Sequence, residues 1–153
     1  MLNRNRHAYP SLEDPIVLSD IKKRRRRILI VSNLFPPHVL GGAEVVARRQ
    51  ALGLAASGCD VVVFAGRIAE NADARGRLDP EDDDGMVVWR TSVTSFEAND
   101  NFRNDRVAEH FRAILNSEQP DLVHFHNMAG LGMHLHQRTH QHPAGARPRR
   151  SSS

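Results

Sequence analysis

The stretch ILIVSNLFPPHVLGGAEVVARRQALGLAASGCDVVVFA, residues 28–65, decides the fold of this chain. It opens with a short β-branched apolar run at 28–31 and closes with a second one at 61–65, a pattern typical of strands buried on both faces of a parallel sheet. Pro36-Pro37 prevents helix directly after the first run. Residues 43–56 then predict a helix, which a Ser-Gly pair ends. The stretch therefore predicts a strand, a helix and a second parallel strand with a right-handed crossover.

The predicted helix carries apolar residues at three- and four-residue spacing, and such a stripe is expected to face a sheet. Its members are Val45, Val46, Leu52 and Ala56.

Three more elements follow along the chain. Residues 67–85 are polar and end in an acidic cluster at 81–84, which predicts a solvated loop, and residues 86–91 predict a third strand. An amphipathic helix is predicted from about 102 to 117, broken by a proline, and then a fourth strand at 121–127. The fold class is therefore α/β, a parallel sheet with flanking helices.

The two ends of the chain differ from its middle in charge. Residues 1–27 hold eight Lys or Arg against three acids and predict a basic, poorly ordered lead-in; residues 133–153 hold four Arg and no acid and predict a disordered His-, Arg- and Ser-rich tail. The net charge of +3 and the pI near 9.7 thus come from the ends, because the predicted domain at 28–132 is acidic overall. This distribution counts against nucleic acid as a partner.

Composition excludes several protein classes. Hydrophobic residues make up 40% of the chain, but no apolar run approaches the ~20 residues of a membrane-spanning helix, which excludes an integral membrane protein. The single Cys59 excludes an intrachain disulfide framework, and the lack of a secretory h-region favours the cytoplasm. Cys59 is expected to be a small buried hydrophobe, and Trp89 and Phe111 are expected in the core.

Two groups of residues at the ends of predicted strands are candidates for a binding site. Gly41 and Gly42 lack Cβ, so their N–H groups can approach an anion at the start of a helix; the alternative is a simple tight turn. His124 and His126 lie two residues apart on a strand and point to one face, where a histidine can orient a sugar hydroxyl or act as a base. The alternative is a hydrogen-bonded structural histidine. A metal site is not expected, since the nearest carboxylate, Asp121, lies on the opposite strand face.

Other charged groups are assigned more simply. The histidines 134, 136, 140 and 142 form a flexible tract expected to bind metal only adventitiously. The run Lys22–Arg27 can grip phosphates of an anionic membrane surface or act as a solvated flank of the first strand.

Residues 28–66, followed after an acidic spacer by PDLVHFHNMAGLG, resemble the amino-terminal domain of the GT-B retaining glycosyltransferases of family 4. The resemblance rests on the order of PP-x3-GGAE, helix, strand and PD-LVH-x-HN, and covers about residues 27–132. It implies a Rossmann-like domain, the N-terminal half of a GT-B fold, that carries the acceptor side of the cleft. It further implies a nucleotide-sugar donor, a carbohydrate or lipid-linked acceptor, and neither a cofactor nor an obligatory metal.

The resemblance also assigns roles to single residues. His126 would lie beside the transferred sugar as the catalytic residue, and Glu44 would start the helix and support its loop. Binding of substrate or of the donor phosphates would fall to Gly41, Gly42, Glu44, His124 and Asn127.

The family's second domain, with its E-x7-E signature, has no counterpart in these 153 residues, and no Glu follows Glu118. The first domain also lacks its last strands and is expected to be incomplete. We therefore expect a truncated or frame-shifted form of a glycosyltransferase, inactive alone and located in the cytoplasm or at the inner face of the membrane. The competing hypotheses are an orphan module that binds a nucleotide or phosphate ligand without turnover, and an interaction protein with basic arms.

Overall fold

A computed structural model describes residues 25–68, 77–93 and 103–135. Within these ranges the chain forms five strands and two helices. In chain order they are β1 (Arg27–Ser32), α1 (Gly42–Ala56), β2 (Asp60–Ile68), β3 (Leu78–Asp83), β4 (Met86–Val93), α2 (Asp105–Glu118) and β5 (Leu122–Phe125).

The strands form one sheet in the order β3-β4-β2-β1-β5. β1 pairs in parallel with β2 and β5, and β2 pairs in parallel with β4. The predicted strand–helix–strand unit is confirmed, as are the strands near 86–91 and 121–127. With helices flanking a mainly parallel sheet, the domain is α/β and Rossmann-like, in agreement with the predicted fold class.

The core has two layers, one on each face of the sheet, because successive strand residues point to opposite faces. On one face β1 and β2 pack against small residues of α1, and on the other they pack against α2. Phe111 of α2 is fully buried and lies 5.6 Å from Phe64 and 6.0 Å from Phe125, measured between ring centroids. The expectation that Phe111 belongs to the core is confirmed.

The predicted apolar stripe of α1 is wrong for Val45, Val46 and Ala56, which are exposed, whereas Leu52 packs against the core as expected. The helix buries Glu44, Ala47 and Ala51 instead, while Val45 and Val46 are 40% and 56% exposed. Alanines allow the helix axis to approach the sheet closely, and Glu44 tolerates burial because its Oε2 accepts the N–H of Gly41 at 2.9 Å. The valines are thereby left on the outer side of the helix.

The predicted solvated loop at 67–85 is also wrong where the structure describes it, and residues 69–76 lie outside the described ranges. β3 is an edge strand antiparallel to β4, so the sheet is mixed and not wholly parallel. Three of its acidic side chains alternate along the strand, and each of these pairs with an arginine: Asp79 with Arg67, Glu81 with Arg90, and Asp83 with Arg48. The fourth acid, Asp82, accepts the N–H of Gly85 instead. The predicted loop acids at 79–83 are therefore strand residues, and three of them are held by ion pairs.

The sequence of the turn between β3 and β4, Asp84-Gly85, is typical of a tight hairpin turn. Asp84 and Gly85 both have positive φ, 51° and 78°. A two-residue type I′ hairpin turn requires positive φ at both positions, and Asp-Gly is one of its preferred sequences. A hydropathy pattern does not predict β3, the strand before this turn, because the residues that alternate along it are acidic and not apolar.

The amino ends of the strands are joined by a charged network. The Arg27 guanidinium binds Asp60 and Glu118, and the indole N–H of Trp89 donates to Glu118 Oε1 at 3.0 Å. Trp89 is half-buried and packs against the core cluster that contains Phe111, and Cys59 is also half-buried, not fully buried as expected. Neither helix of the described ranges is long and apolar enough to cross a membrane.

Candidate functional site

The carboxyl ends of three parallel strands are joined through the backbone of one residue, Asn33. Its N–H donates to the carbonyl of Asn127, which follows β5, and its own carbonyl accepts the N–H of Gly66 in β2 at 2.9 Å. Gly66 is needed at this position because a Cβ would lie 2.3 Å from the Asn33 carbonyl oxygen. The three strand ends therefore form one rigid edge, the place where open α/β sheets bind their ligands.

His124 and His126 stack on this edge. Their ring centroids are 4.7 Å apart and their planes differ by 4°, so the predicted placement on one strand face is confirmed. Gln50 of α1 lies beyond His124, with its Nε2 3.3 Å from His124 Nδ1. Phe125 points to the opposite face and packs against Phe111. The pair thus faces α1, and Gln50, which the sequence patterns did not single out, supports it.

Three buried polar atoms at this edge have no hydrogen-bond partner in the part of the chain that the structure describes: Ser32 Oγ, Asn33 Oδ1 and His126 Nε2. Ser32 is fully buried and Asn33 is 4% exposed. Because Ile30 pairs with His124, strand alternation places Ser32 and His126 on the same face of neighbouring strands. Buried polar groups are nearly always paired in native proteins, so this cluster is prepared for a ligand or water.

The predicted glycine site lies at the start of α1. The N–H of Gly41 is already used by Glu44, whose buried carboxylate places negative charge at the helix N-terminus. Gly42 is exposed, and a Cβ there would meet nothing within 4 Å. No hydrogen bond joins this group to the histidine pair within the described ranges.

The loop before α1 is anchored by Arg90 of β4, a residue that the sequence patterns did not single out. Arg90 is 1% exposed, and its Nη1 and Nη2 donate to the carbonyls of Phe35 and Pro36 at 2.9 and 2.6 Å. Its Nε donates to Glu81. The guanidinium fork thereby positions the loop over the sheet, a geometry that suits Arg and not Lys.

An open groove of about 500 Å³ lies beside this loop, formed by Pro36, Pro37, Val39 and Val45 with Arg48, Arg49 and Asp83. Val39, Val45, Val46 and Leu40 are exposed in this region, Leu40 by 64%. The groove thus combines an apolar lining with charged groups at its rim.

The profile of glycosyltransferase family 4 matches residues 40–146, more than two thirds of the chain. The chain belongs to glycosyltransferase family 4. A comparison with individual curated proteins gave no match. The match identifies the fold described above as a glycosyltransferase N-terminal-type domain and implies glycosyl transfer at the family level.

Within this family 4 domain, Asn127 is exposed, and its Oδ1 accepts the N–H of Ala129 at 3.1 Å, which forms a turn.

Residues 22–24 of the basic run lie outside the described ranges, and Arg27 is held by internal ion pairs. No cluster of three or more His, Cys, Asp or Glu side chains able to hold a metal occurs in residues 25–68, 77–93 and 103–135. The tail histidines 136, 140 and 142 lie beyond these ranges.

Burial lowers the pKa of His126 below its ordinary value, and the neighbouring His124 adds to the shift. The imidazole of His126 is therefore neutral at pH 7. A neutral ring can accept a hydrogen bond from a hydroxyl, which an imidazolium cannot.

In an NMR titration of the family 4 domain, we expect the His126 ring to titrate below pH 6.5, the ordinary histidine value. In the variant His124→Gln the midpoint should rise, since the second positive charge is gone. Because the folded-state pKa is the lower one, the contribution of neutral His126 to stability is present above about pH 6.5 and is lost as the pH falls through the folded-state pKa. A midpoint at or above 6.5 in the wild type would contradict this.

Proposed function

We propose that this domain forms the acceptor side of the cleft of a glycosyltransferase that moves a sugar from a nucleotide-sugar to a carbohydrate or lipid-linked acceptor with retention at the anomeric carbon. In this reaction the bond from the anomeric carbon to the diphosphate oxygen breaks, the acceptor oxygen bonds the same carbon on the same face, and the proton of the acceptor hydroxyl passes to the departing diphosphate. The observation that carries the proposal is the set of unpartnered polar atoms on Ser32, Asn33 and His126 at the carboxyl edge.

These atoms suit a sugar. A hydroxyl group both donates and accepts, and a neutral His126 and the Ser32 hydroxyl offer the matching partners on one face of the sheet. A rigid edge also holds the acceptor oxygen close to the anomeric carbon, which is a large part of the catalysis of a bimolecular transfer. His126 is the residue that we assign to the transferred sugar, with His124 and Asn127 beside it.

The groove next to the loop supports a lipid-linked acceptor over a plain carbohydrate. Val39 and Val45 line the groove and are exposed apolar side chains, and burying them against an acyl or prenyl chain is favourable. Arg25 and Arg26 of the basic run are exposed, and with Lys22 and Lys23 they would favour an anionic membrane surface. We therefore propose a cytoplasmic enzyme that works at the inner face of the membrane.

Negative charge on the leaving diphosphate must be stabilised during transfer, which requires donors beyond those at this edge. Gly42, at the start of α1, is exposed and offers part of such a site, but the carboxylate of Glu44 already lies at this helix end. We therefore propose that a second, donor-binding domain supplies the remaining donors and that the 153-residue chain alone transfers no sugar.

An NMR titration of the isotope-labelled chain tests the proposal. The ligands are a panel of uridine and guanosine diphosphate sugars and the matching free sugars. At least one sugar-bearing ligand should shift the resonances of Ser32, Asn33 and His126. His126→Gln should weaken that binding about tenfold, the loss of one hydrogen bond of about 1.4 kcal/mol. The matched control is His110→Gln, because His110 lies on α2 against Thr91, on the opposite face of the sheet from His126, and binding should be unchanged.

The outcomes separate the hypotheses. Binding of the bare nucleoside diphosphate as tight as that of its sugar would favour an orphan nucleotide-binding module. No shift at the three residues with any sugar would overturn the assignment of the site. Sugar transfer by the purified chain would overturn the proposed inactivity, and would be measured as product formed from labelled donor.

A further inference from the structure

We propose that Gln50 is a positioning residue of this site: its side-chain amide donates to His124 Nδ1, holds His124 as the neutral Nε2–H tautomer, and so presents a flat, uncharged ring on which His126 stacks. The inference depends on the function proposed above only for the role that the His124–His126 pair plays in binding. Its geometry is independent of any substrate.

The contact that carries the first step joins α1 to β5. Gln50 Nε2 lies 3.3 Å from His124 Nδ1, across 74 residues of sequence. An amide N–H can donate only to a ring nitrogen that bears a lone pair, so Nδ1 is unprotonated and the ring proton lies on Nε2. An imidazolium carries protons on both nitrogens and would lose this bond. The contact therefore favours the Nε2–H tautomer of His124.

The second step is the stack. The rings of His124 and His126 are 4.7 Å apart and nearly parallel, at 4°. A positive charge on His124 would repel one on His126 at this distance and would disturb the stack. His124 in turn lies between Gln50 and His126, so the position of the His126 ring, and of its unpartnered Nε2, depends on the ring beneath it.

The third step is the support of Gln50 itself. The helix α1 is tied to the sheet through fully buried Ala47 and Ala51, which flank Gln50 in sequence. Gln50 is itself partly buried, so its side chain is restrained by its surroundings. A helix packed this closely gives Gln50 a defined position over β5, as a positioning residue requires.

Nitrogen-15 NMR of the histidine rings in the purified chain tests the proposal without donor or acceptor. In the wild type, His124 should show a protonated Nε2 and an unprotonated Nδ1 from pH 7 to 8. Gln50→Met retains the length and bulk of the side chain but cannot donate, so His124 should become a mixture of both tautomers. Gln50→Glu offers only acceptors, so it should shift the ring proton of His124 to Nδ1.

The matched control is Gly53→Ala, one turn further along α1, where a Cβ meets nothing within 4 Å; both histidines should keep their wild-type spectra. Amide spectra of each variant show whether it is folded.

A wild-type His124 protonated on Nδ1, or a Gln50→Met variant with unchanged tautomer, would overturn the role of Gln50. Either result would leave the sugar-binding titration of the wild type unaffected. Conversely, an absence of sugar binding with the expected tautomer would count against the proposed function alone.

Discussion

Replacing Gly66 with alanine is expected to lower the free energy of unfolding by about 3 kcal/mol or more. The new Cβ would lie 2.3 Å from the carbonyl oxygen of Asn33 and 3.3 Å from both methyl groups of Val93. The oxygen cannot withdraw freely, because it accepts the Gly66 N–H and belongs to the residue that links the three strand ends. In a domain of this size the melting temperature should fall by roughly 12 °C or more.

Gly53→Ala is the matched comparison for this variant. Gly53 lies in α1 with open space around its Cα, so alanine there should stabilise the domain by about 0.5–1 kcal/mol through its higher helix propensity. Thermal unfolding followed by circular dichroism measures both. Equal melting temperatures for the two variants would show that the close approach of Gly66 to Asn33 does not matter to stability.

The variant Arg90→Met is expected to cost about 3–4 kcal/mol of unfolding free energy. It removes two donors from the carbonyls of Phe35 and Pro36 and leaves these groups short of hydrogen bonds at the base of the loop. The contribution of Glu81 is smaller, since that side chain is 40% exposed and can be hydrated. Chemical denaturation measures the change.

Two further variants sharpen the Arg90 experiment. Arg90→Lys keeps the charge but has no fork to reach both carbonyls, so it should recover only a small part of the loss. Arg103→Met removes an exposed ion pair with Asp105, and should change stability by less than about 0.5 kcal/mol. Wild-type stability in Arg90→Met would contradict the anchoring of the loop by the buried guanidinium.

Both predictions concern residues that support the candidate site without belonging to it. Gly66 lets the ends of β1, β2 and β5 meet at one edge, and Arg90 holds the loop that leads into α1. Damage at either position should therefore also broaden or shift the resonances of His126, even though neither residue touches its ring. The geometry of the candidate site therefore depends on residues of the carboxyl edge and of the loop before α1 that are not themselves part of the site.

One part of the geometry of the candidate site was predictable from sequence. His124 and His126 were expected on one strand face, and they stack there, because the two-residue period of a strand is a local property. Their support was not predictable. Gln50 lies 74 residues away on a helix whose buried face the apolar pattern assigned wrongly. Nothing in the sequence distinguished Arg90 from an ordinary strand residue, because the burial of an arginine depends on carbonyl groups that lie far from it in the sequence.

The sequence by itself determined the order of strands and helices from β1 to β5, apart from β3, and the two polar segments that end β1 and β5. It could do so because apolar runs, prolines and helix stops act over a few residues. Only the tertiary structure decided that an acidic segment forms an edge strand and that alanines and Glu44 face the sheet. It alone also decided that Ser32, Asn33 and His126, at the carboxyl edge, each bury a polar atom that has no partner among the described residues. These features depend on pairing between polar groups far apart in sequence, and the free energy of such a group depends on which partner it meets when water is removed.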